Sequence, residues 1–525
     1  MPYLSLRFLL FTAVSLAAYY ALPKKWKPAI LLLASLTYYT LCSRFLVIPI
    51  VCLTAVIWGA GRMTGKWNDA FEAQKKELTK EERKARKQRL KTHKRILLAA
   101  ECVVGFGMLI AFKYLGFLAQ IVNGALSLFS SASVPVPAFL LPLGISYYTL
   151  SMIGYAADVY YGKISPEKNF FRLLLFAVYF PHIVEGPIAA YKSFSAQLSQ
   201  PKAMTYDRFM RAGERILLGL MKKMLLADRA GMIADVVFGD PGTYRSVAAA
   251  LAIGMYAVQL YMDFSGCIDL VCGVSELFGI DLEQNFRRPF FSQSIQEFWR
   301  RWHITLGAWI KNYIFFPLSL SGWNGRLSAK AGKLQNAYYR STVPMLLPLL
   351  FVWLFMGIWH GASWKYVLYG LYYYVLILLG LLLEPAFVRF CDALHIDRKS
   401  RGWRVFRMLR TTVLVLIGLT LFRAQTATQA AEILGSVFRV DGVYDLFSLK
   451  NACSLSIQDY LLLVLGCAAM AWLSLREERG FSLFDALEKR PVLRWAFCTS
   501  AVLLLILFGV YGTAYTAQPF VYAQF

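Results

Sequence analysis

The chain lacks most of the residue patterns that announce familiar chemistry. Its nine cysteines (42, 52, 102, 267, 272, 391, 453, 467 and 498) form no Cys-x-x-Cys or Cys-x-His cluster. They lie mostly in or beside apolar blocks, and read as small buried hydrophobes rather than metal ligands or disulfide partners. There is no Gly-rich phosphate loop, no dinucleotide fingerprint and no metal-ligand cluster, which removes most nucleotide and metal enzymes from consideration. No long period recurs, so a repeat array is excluded. Charged residues make up only 17%, against about 25% in soluble domains.

What is abundant is apolar. Hydrophobic residues reach 58% and the mean hydropathy is +0.49. The excess falls in blocks of roughly 17–25 residues, the length that crosses a bilayer core. The expectation is an all-α, polytopic transmembrane protein of about 11 or 12 spans, with re-entrant or interfacial helices around a central funnel or tunnel. The candidate spans lie near 4–22, 28–42, 45–61, 96–116, 138–160, 212–238, 245–264, 343–361, 363–384, 405–423, 458–475 and 493–511. The sixth is the weakest, because Lys222, Lys223, Asp228 and Arg229 interrupt it. The first block is longer than a signal-peptide core and is followed, not preceded, by basic residues, so it reads as a retained span.

A net charge of +25 would suggest nucleic acid in a soluble protein. Here the basic residues sit between apolar blocks, where they set topology and meet anionic membrane lipid, so nucleic acid is not an expected partner. Residues 62–95 hold thirteen Lys/Arg against five Asp/Glu and should form a cytoplasmic surface helix or helical hairpin. That puts the N-terminus outside, and the basic segments 23–27, 320–341, 389–410 and 476–494 inside. Twelve spans put the C-terminus outside, and eleven would reverse it. The segment 170–200 is apolar but broken by Pro181, Gly186 and Pro187, which suggests a re-entrant piece. The stretch 265–341 is too polar to span in full, and the active site is expected beside it.

Five histidines are present. His93 and His395 lie in charged loops and read as solvated. His182 sits in the broken apolar segment. His360 ends the run Phe351 to Trp359 and is followed by Gly361. An ionisable group within a span is expensive and usually faces a cavity. A neutral, desolvated imidazole can act as general base for a hydroxyl; an interhelical hydrogen bond is the plainer alternative. His303 lies in Glu297-Phe-Trp299-Arg300-Arg301-Trp-His303. On a continuous helix, Trp299 and His303 would share one face, and Glu297 and Arg301 another. An interfacial Trp/Arg belt is the plainer reading there.

Several stretches together resemble the membrane-bound O-acyltransferase family. They are Gln259 to Gly266 with Asp263 and Ser265, then Asn285-Phe286, Pro289, Glu297 to Ile304, and Met356-Gly-Ile-Trp359-His360-Gly361. Leu141 to Tyr148, Asp158 to Tyr160, Glu185 to Ile188, Gly219 to Lys223 and Ala227-Asp228 match in order. The likeness is greatest to the alginate-acetylating (AlgI-like) branch, with the D-alanyl transferases (DltB-like) more distant. It covers roughly 1–425. It implies a transferase core over 1–425, C-terminal spans over 426–511 and a separate tail over 512–525. It assigns the membrane histidine to His360 and the second polar position, Asn or His in the family, to His303. Asp263, Ser265, Asn285, Glu297, Trp299, Arg300, Arg301 and Trp359 then support the site or the substrate. Cys267 departs from the family's tyrosine.

The ending Phe520-Val-Tyr522-Ala-Gln-Phe525 resembles a C-terminal motif of Gram-positive acylation systems, in which the tyrosine is proposed to carry the acyl group. A phenol has a pKa near 10, below that of a sugar alcohol, so it is the easier hydroxyl to activate, and its ester remains a good donor. Fourteen residues extend about 46 Å, enough to fold back from the outer side, with Phe520 and Phe525 as anchors. An aromatic end resting at the interface is the plainer reading. The resemblance implies the following reaction, with no metal and no permanently bound cofactor. A cytosolic donor, acetyl-CoA or another acyl thioester such as an acyl-carrier protein, delivers its carbonyl to His360. His303 orients or stabilises that carbonyl. Tyr522 or a partner hydroxyl accepts, and a secreted SGNH-type (DltD- or AlgJ-like) acyltransferase passes the acyl group to an envelope polysaccharide. Two other classes remain: a polysaccharide or solute transporter, which would carry inverted symmetry, and a non-catalytic scaffold.

Overall fold

Among the described residues, each expected span falls mainly on helix, the form in which a chain satisfies its own backbone without water. The computed structural model describes residues 1–129, 131–137, 139–439, 445–510 and 520. Among them the only extended pairing is a single antiparallel bridge between Phe286 and Trp302. Eight helical runs are long and apolar enough to cross a membrane: Lys24–Gln74, Lys80–Leu126, Ser246–Leu277, Ala337–His360, Trp364–Ala393, Arg401–Arg423, Ile457–Glu478 and Pro491–Phe508. The run Lys24–Gln74 contains two of the expected spans, in helices Lys27–Ser43 and Val47–Gln74. Leu6–Ala21 is a shorter apolar helix. The expected span at 138–160 becomes Ile145–Tyr161, buried along nearly its whole length.

The chain divides into two compact units. The first comprises 1–212 with 274–283, the second 213–273 with 284–525. In the first, the basic segment 62–95 is a helical hairpin. Val47–Gln74 runs out past its apolar part, and Lys80–Leu109 returns, opened by a capping box in which Thr79 and Glu82 bond each other's backbone N–H. The broken segment folds as helix Phe170–Val178, a turn, and helix Tyr191–Ser199. Its turn is buried, so its backbone must find partners. Tyr3 supplies a hydroxyl to the carbonyls of Phe180 and Pro181 at 3.1 and 3.0 Å, and Ser35 Oγ accepts the Phe180 N–H at 3.1 Å.

In the second unit the charges that weaken the sixth span are all matched. The helix widens into a π-turn over Lys222–Ala227, a feature often found at functional positions. Lys222 meets Asp269 at 2.6 Å, and Arg229 meets Asp459 at 2.8 Å. Lys223 meets Asp228 at 2.8 Å and Asp263 at 2.5 Å. Buried charge is tolerable only when paired in this way. Arg494 of the last helix pairs with the buried Glu214.

Helices Ala337–His360 and Trp364–Ala393 form a hairpin whose backbones nearly touch. A Cβ on Gly357 would lie 2.3 Å from the Tyr366 carbonyl oxygen, and one on Gly370 would lie 2.3 Å from that of Trp353. Small residues permit this approach in membrane helices. Gly370→Val is therefore expected to destabilise the protein by about 1–3 kcal/mol, read as a lower unfolding midpoint in detergent. An unchanged midpoint would mean that the two helices are not this close.

Candidate active site

His303 is not on the helix that the sequence pattern suggested. The helix Ile295–Arg301 ends before it, Trp302 is extended, and His303 takes left-handed backbone angles (φ 48°, ψ 54°) as the N-cap of helix Ile304–Ile310. Trp299 and His303 therefore do not share a helical face. The cause is tertiary: residues 301–304 pair with 285–287. The Arg287 N–H donates to the Arg301 carbonyl and the Ile304 N–H to the Asn285 carbonyl, each at 2.9 Å. The other half of the pattern holds, since Arg301 and Glu297 form an i,i+4 ion pair at 2.7 Å.

Asn285 fixes the imidazole. Its Oδ1 accepts from the Thr305 N–H at 3.1 Å and the Thr305 hydroxyl at 2.8 Å, and lies 3.3 Å from His303 Nδ1. The backbone N–H can only donate, so the amide cannot be flipped. Nδ1 must therefore carry hydrogen, which leaves Nε2 with the lone pair in the neutral ring. Burial holds the His303 pKa down to about 3, so the ring is neutral over the physiological range.

His360 closes its helix, and Gly361 follows. The imidazole is buried, with Trp359, Tyr369 and Phe422 ring centroids at 5.1, 5.9 and 5.2 Å. A Cβ on Gly361 would lie 2.2 Å from the Tyr366 ring, so glycine is what lets the chain turn there. Trp359 also stands 5.9 Å from the His303 ring. Both imidazoles thus flank one indole, and Phe264 covers His303 from another side at 4.9 Å.

Two cavities adjoin this group. One of about 400 Å³ is lined by His303, Trp299, Arg300, Trp302, Trp353 and Met356 among others. His360 is not among its lining residues. The other, of about 350 Å³, is lined by Ser265, Asn285 and the basic Arg215, Lys222, Arg287 and Arg288, with Asp269 and Glu477. Asn285 and His303, bonded to each other, thus line one cavity each. Arg301 turns away to Glu297 and Glu478. Asp263 is wholly buried and serves Lys223.

Of the tail anchors, Phe520 is buried, with Lys223 Nζ 5.1 Å from its ring centroid. Tyr522 and Phe525 lie outside the described residues. The sequence offered Lys223 only as a charge that weakens the sixth span and within the Gly219–Lys223 stretch, although a lysine within an apolar run is itself a signal. His182 belongs to the first unit and packs on Tyr179 and Phe194.

Comparison with known proteins bears on this geometry. The family model described as MBOAT, membrane-bound O-acyltransferase family, matches residues 163–332. The chain is 31% identical over 378 residues to the probable alginate O-acetylase AlgI of Pseudomonas syringae pv. tomato, covering 72% of this chain and 65% of that protein, just under two thirds of its length. It is 30% identical over 428 residues to the protein of the same description from Pseudomonas putida, covering 79% and 81%. A peptidoglycan O-acetyltransferase of Helicobacter pylori is 25% identical over 470 residues, covering 82% and 83%.

Proposed function

Since this chain belongs to the membrane-bound O-acyltransferase family and is a multi-pass membrane protein, we propose that it moves an acyl group, acetyl from acetyl-CoA, from a cytosolic thioester to a hydroxyl destined for an envelope polysaccharide. The observation that carries the reading is the pair of buried imidazoles flanking Trp359, one of them lining a cavity. The acetyl choice rests on two relatives described as alginate O-acetylases and one described as a peptidoglycan O-acetyltransferase.

In the proposed reaction His360 takes the proton of the attacking hydroxyl as its oxygen bonds to the thioester carbonyl carbon. The C–S bond then breaks, and the proton passes from the imidazolium to the leaving thiolate. A buried site excludes the water that would otherwise hydrolyse the thioester. His303 presents Nε2 as an acceptor. Because Asn285 keeps the ring hydrogen on Nδ1, this nitrogen cannot donate to the carbonyl oxygen, and since the single proton of the attacking hydroxyl goes to His360, His303 shapes the site beside Trp359 instead of sharing that proton. Beside Asn285, Arg215 and Arg288 already pair with Asp269 and Glu478, so Arg287 is the group that offers charge to the phosphates of the donor. The orientation follows the positive-inside rule, with the hairpin 62–95 cytoplasmic.

Tyr522 is the proposed first acceptor, and a separate extracytoplasmic SGNH-type acyltransferase the recipient. Mass spectrometry of protein purified from its native host should find the C-terminal peptide heavier by one acetyl group, and Tyr522→Phe should remove that adduct. A D-alanyl mass in its place would move the donor to a carrier-protein thioester. An unmodified peptide, even when partner turnover is blocked, would rule out the tail as carrier.

A further inference from the structure

A cavity of about 1000 Å³ lies in the first unit, outside everything assigned to acyl transfer. It is two-faced. Leu32, Leu33 and Leu36 line one end, along a single side of helix Lys27–Ser43, and Leu33 is openly exposed. Lys24, Lys25 and Lys27, which precede these leucines along the chain, line the other end; Arg172 and Lys202 also line the cavity, and no acidic side chain is among the described lining residues.

The cationic end is held in place. Lys27 Nζ stands over the Tyr19 and Tyr20 rings, 4.4 and 4.7 Å from their centroids. Those phenols donate to the carbonyls of Phe278 and Leu277 at 2.8 and 2.7 Å. The Lys202 N–H donates to the Gly279 carbonyl at 3.1 Å, and its ammonium pairs with Asp281. Gly279 has φ 80°, and a Cβ there would lie 2.7 Å from the Lys202 carbonyl oxygen, so the strap that carries Lys202 is pinned. Arg172 donates to the Ser199 hydroxyl at 2.7 Å, a neutral partner, and no carboxylate pairs with it among the described residues.

Lys24 to Lys27 and the basic hairpin 62–95 lie at the same end of the two consecutive helices Lys27–Ser43 and Val47–Gln74. The positive-inside rule makes that end cytoplasmic, the leaflet side where anionic lipid is recognised by clustered Lys and Arg. A site whose wall changes from leucine to lysine at the start of a span matches a molecule that changes from acyl chain to phosphate. We infer that this groove binds one anionic phospholipid, its phosphodiester headgroup between Lys24, Lys25 and Arg172 and an acyl chain along Leu32, Leu33 and Leu36. The site does not depend on the acyl-transfer proposal.

The test is native mass spectrometry of the full-length protein in neutral detergent, titrated with phosphatidylglycerol or phosphatidylcholine of matched chains. One phosphatidylglycerol should be retained about 100-fold more tightly than phosphatidylcholine, since each of the three basic groups near the anionic headgroup contributes roughly fivefold. The triple variant K24Q/K25Q/R172Q should lose that preference. The matched triple K84Q/K87Q/R89Q, on the exposed hairpin, should keep it. Leu36→Glu, which places a carboxylate in the acyl path, should lower occupancy with the basic end intact, and serves if the triple variant fails to fold. Equal retention of the two lipids overturns the inference, as does an unaltered preference in a folded triple variant. Displacement of the lipid by millimolar inorganic phosphate would do so too, because it would mark a site for soluble anions.

Discussion

His360→Ala should lower acyl transfer by about 10²–10⁴-fold, the usual contribution of a positioned general base, while the protein still assembles in the membrane. The two halves of this expectation separate chemistry from packing. His360 ends its helix against Trp359, Tyr369 and Phe422. If the imidazole served only as an interhelical bond, its loss would cost roughly 0.6–2 kcal/mol of stability, and turnover of the folded fraction would be nearly unchanged. If it is the base, turnover collapses and the unfolding midpoint moves little. His360→Gln should be equally inactive, because an amide keeps a hydrogen bond but cannot take a proton at neutral pH. The measurement is transfer of labelled acetyl from acetyl-CoA in proteoliposomes, beside the unfolding midpoint of the same preparation. A folded His360→Ala protein with more than about a tenth of normal transfer would sink the assignment, given the range expected of a general base.

Lys223→Ala should destabilise the protein by about 3–5 kcal/mol, the cost of stranding the partners of a buried ion pair. Lys223 is almost fully buried between Asp228 and Asp263, themselves buried. Its removal leaves two carboxylates facing each other with no cation between them. The Phe520 ring over the same ammonium contributes less, roughly 0.5–2 kcal/mol, so the ion pairs decide the outcome. Combining Lys223→Met with Asp228→Asn and Asp263→Asn should recover most of the loss, because a neutral, hydrogen-bonded cluster has no stranded charge. The unfolding midpoint in detergent reads both effects. A single variant within about 1 kcal/mol of wild type would mean that the cluster is hydrated. A triple variant no better than the single one would place the cost in packing.

The sequence was informative where its signal was local. The apolar blocks located the helices, since length and hydropathy alone decide that. The spacing of Glu297 and Arg301 foretold their ion pair. It was silent where a distant segment intervened. Nothing between Glu297 and Ile304 says that the helix must stop at Arg301; the stop comes from pairing with 285–287. The charges at 222–229 lowered the hydropathy of their run, and their partners Asp263, Asp269 and Asp459 lie far along the chain. A count of apolar residues cannot see such compensation. The cost of an intramembrane lysine could have been turned around to ask which carboxylates it needs, and Asp263 within its own apolar run was the available answer.

The left-handed backbone at His303 limits which residues can replace it, apart from any chemistry. Asparagine, aspartate and histidine adopt that conformation far more readily than other side chains, and β-branched residues pay most for it. Asparagine and aspartate are therefore the replacements that the main chain itself tolerates. Exchange to asparagine leaves the local geometry undisturbed, whereas valine or isoleucine meets a penalty of about 1–2 kcal/mol whatever the substrate. The position is thus narrowed by its main chain whatever the imidazole does.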